Sequence, residues 1–117
     1  MPDLKLDARD IAGGITMVKA RGFLDAHTFE ELEDALNKQF DQGHFRIVVD
    51  LAELQYISSA GAGVFIGTVG RAQENNGNIV LLNPSPNVKE VLDLLGLTQL
   101  FSVVPTQEAA LKSFAGV

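Results

Sequence analysis

The run Ser58-Ser59-Ala60-Gly61-Ala62-Gly63 sets two hydroxyls directly ahead of small residues. Read as a helix start, it has backbone N–H groups without intrahelical partners, and a serine oxygen can accept from one of them. Ser59 is the natural cap, a role worth about 1 kcal/mol, while Ala60, Gly61 and Ala62 leave it open to another protein. A phosphate there would bring a charge of about -1.5 to -2 to the positive end of the helix dipole, tolerated locally while transforming the surface a partner meets. The chemistry on offer is that of a switch; the bland alternative is an ordinary N-cap serine.

A second candidate is Gly22-Phe23-Leu24-Asp25-Ala26-His27-Thr28, which puts a carboxylate where a strand gives way to an amphipathic helix. Asp25 reads as that helix's N-cap. A parallel sheet could bring it near the Ser59 loop, where it could engage a partner or resist a nearby phosphate. Ser59, His27 and Asp25 could be assembled on paper into a hydrolytic triad. No Gly-x-Ser-x-Gly elbow surrounds either serine, and His27 stands too close in sequence to Asp25 to assign one. His27 and His44 read as solvent-facing residues, with no neighbouring ligand pattern. Glu30, Glu31, Glu33 and Asp34 read as a solvated helix face, so no enzyme site and no cofactor is expected.

Gly61-Ala62-Gly63 with Gly67 is similar to a dinucleotide turn, but a connection separates it from the preceding strand and the next strand ends at Asn83 rather than at an acid. Small residues on one helix face more often permit close packing on a sheet, and Gly61, Gly63, Gly67 and Gly70 are read that way.

The elements that must hold these segments follow from periodicity. Leu4, Leu6 and Ala8 alternate with charged residues, and after Gly13-Gly14 the segment from Ile15 to Phe23 is again strand-like, so the two form a hairpin. Phe29, Leu32, Leu36 and Phe40 predict a helix from Thr28 to Gln42, stopped at Gly43. The run from Arg46 to Leu51 predicts a strand buried on both faces, followed by a connection from Ala52 to Ile57. A helix from Ala60 to Asn75 then presents Val64, Phe65 and Val69 to the sheet and ends at Asn76-Gly77. Residues Asn78 to Asn83 give another strand. Ser85 caps a helix with Pro86 at its first position and Val88, Val91, Leu92 and Leu95 as its buried face, and Gly96 closes it. Phe101 to Val104 forms the last strand, and Thr106 caps a helix from Gln107 to Phe114. The order ββαβαβαβα implies one α/β domain over residues 1–117, a mixed sheet of about five strands with about four helices.

Composition narrows the function. The 117 residues carry 9 Lys and Arg against 15 Asp and Glu, a net charge of -6 that would repel a nucleic-acid backbone. With 46% hydrophobic and 21% charged residues the chain has the makings of a globular core. Zero Cys excludes disulfides and thiolate metal sites and fits a reducing, cytoplasmic setting. The start Met1-Pro2-Asp3-Leu4-Lys5 lacks the pattern of a secretory signal, and the uncharged tract from Tyr56 to Gly70 falls short of a membrane span.

Taken in order, Gly22-Phe23-Leu24-Asp25 with Thr28, Ile47-Val48-Val49-Asp50-Leu51, Tyr56-Ile57-Ser58-Ser59-Ala60-Gly61, Gly77 before Ile79-Val80-Leu81, and Val91-Leu92-Leu95-Gly96-Leu97 make the chain resemble the STAS domain family along nearly its whole length. That family includes bacterial anti-sigma factor antagonists and cytoplasmic portions of anion transporters. The resemblance implies partner switching: an antagonist binds an anti-sigma factor that is also a serine kinase, phosphorylation abolishes the binding, and a metal-dependent serine phosphatase restores it. The implied acceptor is Ser59, with Ser58 as the alternative, and Asp25, Thr28, Ser58, Ser59, Gly61 and Ala62 are the implied partner contacts.

Where the family's phosphorylated branch has aspartate before the acceptor, this chain has Ser58. That difference also admits a scaffold that binds without being phosphorylated, such as a subunit of a signalling assembly or of a lipid-transport ATPase. Weak homo-oligomerisation is left open.

Overall fold

A computed structural model describes residues 3–115. A hairpin opens the chain: β1 (Leu4–Ile11) and β2 (Ile15–Leu24) pair antiparallel, Ile11 opposite Ile15, around a single 3-10 turn at Ala12–Gly14. Then follow α1 (Phe29–Asp41), β3 (Arg46–Ile57), α2 (Ser59–Glu74), β4 (Asn78–Leu82), α3 (Pro86–Leu94), α4 (Leu97–Leu100), β5 (Val103–Val104) and α5 (Gln107–Ser113). The sheet runs β1-β2-β3-β4-β5, with β2 to β5 mutually parallel. This is the mixed α/β architecture that the alternation of elements predicts.

The main core lies between one face of the sheet and helices α1 to α3. Val18, Ala20, Leu24, Val49, Leu54, Ile57 and Leu81 meet Leu32, Leu36, Phe40, Phe65, Val88 and Leu92 there. Phe65 packs edge-on against Phe101 at 6.2 Å between ring centroids. On the other face, Ile15, Met17, Val48, Val80 and Leu82 are covered by Ala110 and Phe114 at the α5 end of the chain. β3 and β4 are thus sandwiched, which is why their sequences read as continuous apolar runs. Arg71 of α2 ties the helical layer together, donating to Asp41 at 2.7 Å and Asn37 at 3.2 Å with its guanidinium 5.4 Å above the Phe40 ring.

Several elements depart from the sequence reading. Residues 52–57 are not a connection: β3 continues through them for 12 residues. Its pairing with β2 slips between Lys19 and Arg21 and again between Gly22 and Phe23, so β3 carries two extra residues. These bulges break the alternation, and a broken alternation reads as a loop. The last strand is only Val103–Val104, because Phe101 closes the short α4. Leu95 is 42% exposed rather than buried, since Gly96 turns the chain at φ 79° just after it.

The glycines of α2 do not act as a set. A Cβ on Gly61 would strike Leu24, whereas among the described residues nothing lies within 4 Å of a Cβ on Gly63, Gly67 or Gly70. Those three face solvent. At the helix's far end, Asn76 takes the left-handed conformation at φ 64°. Gly77 is needed for closeness instead, because a Cβ there would run into the Phe45 carbonyl that accepts from Asn78 N–H.

Candidate functional site

The parallel register sets Leu24 beside Ile57, so β2 and β3 end side by side and release their next residues together. The Ser58 N–H donates to the Leu24 carbonyl at 3.0 Å, which binds the start of the Ser59 segment to the strand that leads into Asp25. The two segments singled out from sequence therefore lie on adjacent strand ends.

Ser58, not Ser59, caps α2. Its backbone is extended (φ -102°, ψ 172°), its Oγ accepts from Gly61 N–H at 3.2 Å, and its carbonyl accepts from Ala62 N–H at 2.9 Å. Ser59 is the first helical residue and is exposed, and its hydroxyl makes no hydrogen bond among the described residues. With two adjacent serines, sequence alone cannot fix the cap to one residue; the extended backbone at Ser58 does. The consequence is a division of labour in which Ser58 holds the helix start and Ser59 is left to solvent.

Asp25 makes the capping bonds expected of it ahead of α1, whereas Thr28, the residue just before Phe29, is helical in its own backbone (φ -118°, ψ -9°) and makes no side-chain cap bond. Asp25 thereby closes the turn that leads into the helix. Its carbonyl accepts from Phe29 N–H at 2.9 Å and from Thr28 N–H at 3.2 Å, and its Oδ1 accepts from His27 N–H at 2.9 Å. Thr28, 5% exposed, locks the turn from beneath: its hydroxyl donates to the Phe23 carbonyl at 2.8 Å and accepts from Asp25 N–H at 3.0 Å. Asp25 is half-buried, with this scaffold fixing where its carboxylate begins.

Of the expected partner contacts, Gly61 and Ala62 are buried. They shape the surface by letting α2 sit close on Leu24 and do not form it. No triad assembles. The Asp25 carboxylate bonds the His27 backbone rather than its ring, and His44, beyond the C-terminal end of α1, pairs through Nδ1 with Gln39 Oε1 at 2.8 Å. Gly61 is the glycine that a close approach requires, and what it approaches is the Leu24 backbone and side chain of β2.

Sequence reasoning missed the apolar surroundings. Tyr56 is 46% exposed and pairs with the Phe23 ring at 5.9 Å. Ile66 is 51% exposed on α2, beside the open stripe of Gly63, Gly67 and Gly70. The available signal was phase: Val64, Phe65 and Val69 are the residues the helix turns to the sheet, and Ile66 is out of step with them.

No helix among the described residues is long and apolar enough to cross a membrane. A family model described as the STAS domain matches residues 8–110. BtrV of Bordetella bronchiseptica is 34% identical over 105 residues, 90% of each chain. An anti-sigma-B factor antagonist of Staphylococcus epidermidis is 35% identical over 86 residues, 74% of this chain and 80% of that one. Among solved structures, the anti-sigma factor antagonist SpoIIAA in its unphosphorylated form superposes with a TM-score of 0.81 at 24% identity, covering 97% of this chain and 98% of that one. The phosphorylated form of SpoIIAA from Bacillus superposes with a TM-score of 0.70 at 24% identity, covering 93% and 98%.

Proposed function

We propose that this chain, which belongs to the STAS domain family, acts as an anti-sigma factor antagonist whose complex with a serine-kinase anti-sigma factor is broken by phosphorylation of Ser59 and restored by a serine phosphatase. The observation that carries this reading is the division between the serines: Ser58 is engaged as cap, while Ser59 stands exposed one residue later with its hydroxyl unengaged. The family's aspartate before the acceptor and the serine found here are both good N-caps, so Ser58 can take over the capping part of that residue's work.

Asp25 contributes the other loop of the partner surface, with Thr28 as its support. The solvent-facing stripe of Gly63, Gly67 and Gly70 beside Ile66 gives a partner a smooth approach along α2 from Ser59. A phosphate at Ser59 is compatible with the folded chain because it sits at the positive end of the α2 dipole. At a closed interface the same charge is desolvated and set against Asp25. A loss of about 4 kcal/mol in binding lowers affinity roughly a thousandfold. ATP and its metal belong to the kinase, and this chain serves as substrate and ligand.

The experiment is incubation with the cognate kinase and ATP. One phosphate is expected, retained in Ser58→Ala and lost in Ser59→Ala, and Ser59→Asp weakens the complex. Binding without phosphate on either serine would leave the constitutive scaffold as the reading.

A further inference from the structure

We propose that the outer edge of β1 is a self-pairing strand through which two copies of this chain join their sheets antiparallel. β1 ends the sheet order, so one of its sides has no strand neighbour among the described residues. The Asp3 carbonyl accepts from Phe23 N–H at 2.9 Å. In an antiparallel ladder the backbone groups alternate in direction, so Asp3, Lys5, Asp7 and Arg9 turn theirs toward β2 while Leu4, Leu6 and Ala8 turn theirs outward.

Side chains alternate in the same rhythm. Leu4 and Leu6 lie with the main core on the helix-covered face. Asp7 and Arg9 stand on the opposite face, in a hollow with Met17, Lys19, Arg21 and Asp50. Lys5, Asp7 and Arg9 are exposed and make no ion pair among the described residues. Charges on an edge strand ordinarily discourage pairing. Here their sign alternates along one face, so opposite charges meet when the two-fold axis falls at Leu4, Leu6 or Ala8, and the axis at Leu6 alone pairs all four of Asp3, Lys5, Asp7 and Arg9 with a charge of opposite sign.

With the two-fold axis at Leu6, Leu6 faces Leu6, Leu4 faces Ala8, Lys5 faces Asp7 and Asp3 faces Arg9. The outward backbone groups of Leu4, Leu6 and Ala8 then meet as hydrogen-bonded pairs, and the charges fall at the closer, non-hydrogen-bonded positions. Sliding the register one way sets Asp7 against Asp7 and Lys5 against Arg9; sliding it the other way sets Lys5 against Lys5 and Asp3 against Asp7. Both neighbours are penalised by like charges. The occupant of this edge is therefore a second copy, giving a ten-stranded sheet whose junction is separated by β2 from the strand that delivers Ser59.

Sedimentation of the full chain up to about 1 mM, where a contact worth about 4 kcal/mol is half-populated, is expected to show a monomer–dimer equilibrium weakened by salt. Asp7→Lys sets lysine against lysine twice and lowers the association constant about tenfold. Lys5→Asp combined with Asp7→Lys reverses both pairs and restores it. The chain has no cysteine, so Leu6→Cys reports the register: oxidation links two copies through it far faster than through Ala8→Cys. A single monomeric species across the whole range, or an Asp7→Lys chain that dimerises as well as the parent, overturns the proposal.

Discussion

Gly61 rests on Leu24: a Cβ at Gly61 would come within 2.5 Å of the Leu24 carbonyl oxygen and 2.7 Å of its Cγ. That oxygen also accepts the Ser58 N–H, so the end of β2 and the start of α2 meet at a point with no spare volume. Gly61→Ala is expected to cost about 2 kcal/mol of stability by overpacking, read as a lowered urea midpoint. Gly67→Ala, with open space around it, should stabilise by about 0.5 to 1 kcal/mol through helix propensity alone. Equal midpoints for the two variants would contradict the close approach.

Ser58 and Ser59 should separate cleanly in stability. Ser58→Ala removes the oxygen that accepts Gly61 N–H and should cost about 1 kcal/mol, while Ser58→Asp keeps the cap. Ser59→Ala should change stability by no more than about 0.5 kcal/mol, because it removes an exposed hydroxyl that has no hydrogen-bond partner among the described residues. Thermal and denaturant unfolding of the three variants checks the assignment.

Thr28→Val keeps shape and removes a hydroxyl that serves two backbone groups. The Phe23 carbonyl and the Asp25 N–H would both lose their partner, at a cost of about 1 to 3 kcal/mol. Thr28→Ser should recover most of it. Amide exchange at Asp25 should accelerate in the valine variant and stay slow in the serine one.

Glu53 should titrate below the ordinary glutamate range. Its carboxylate accepts from Lys19 Nζ at 2.5 Å, and this hydrogen bond and the Lys19 charge hold its pKa down, with Arg21 at 3.7 Å adding a smaller pull against slight desolvation. A carboxyl lowered on folding stabilises the fold above its unfolded pKa, and that contribution is lost as pH falls through the lowered folded value. Carbon-detected NMR titration should find the midpoint depressed, and Lys19→Met should return it to the usual range.

Much of the fold is legible because burial imposes period. Leu32, Leu36 and Phe40 mark α1 at helical spacing, and the apolar run from Ile47 to Val49 marks a strand covered on both faces. Where a local irregularity intervenes, the period fails: the two bulges in β3 shift Leu54 and Ile57 out of alternation, and a 12-residue strand reads as a short one with a tail. The site was legible as a place and less so as an assignment of roles. Pattern points to the Asp25 and Ser59 segments, and the register brings them together. Which serine caps α2 depends on one residue's backbone angles, to which composition is blind. Tyr56 went unmarked because exposure at an irregular strand end is a property of the folded surface, whereas Ile66 was legible in principle from its phase against Val64, Phe65 and Val69.

The tether from Ser58 N–H to the Leu24 carbonyl means that a partner binding as proposed would meet both loops already seated on neighbouring strands. For a partner docking as proposed, the two strand ends are already joined, so arrival would be set by diffusion and long-range charge. A signal placed at this spot would then be read mainly as residence time: how long the guest stays, far more than how often it calls.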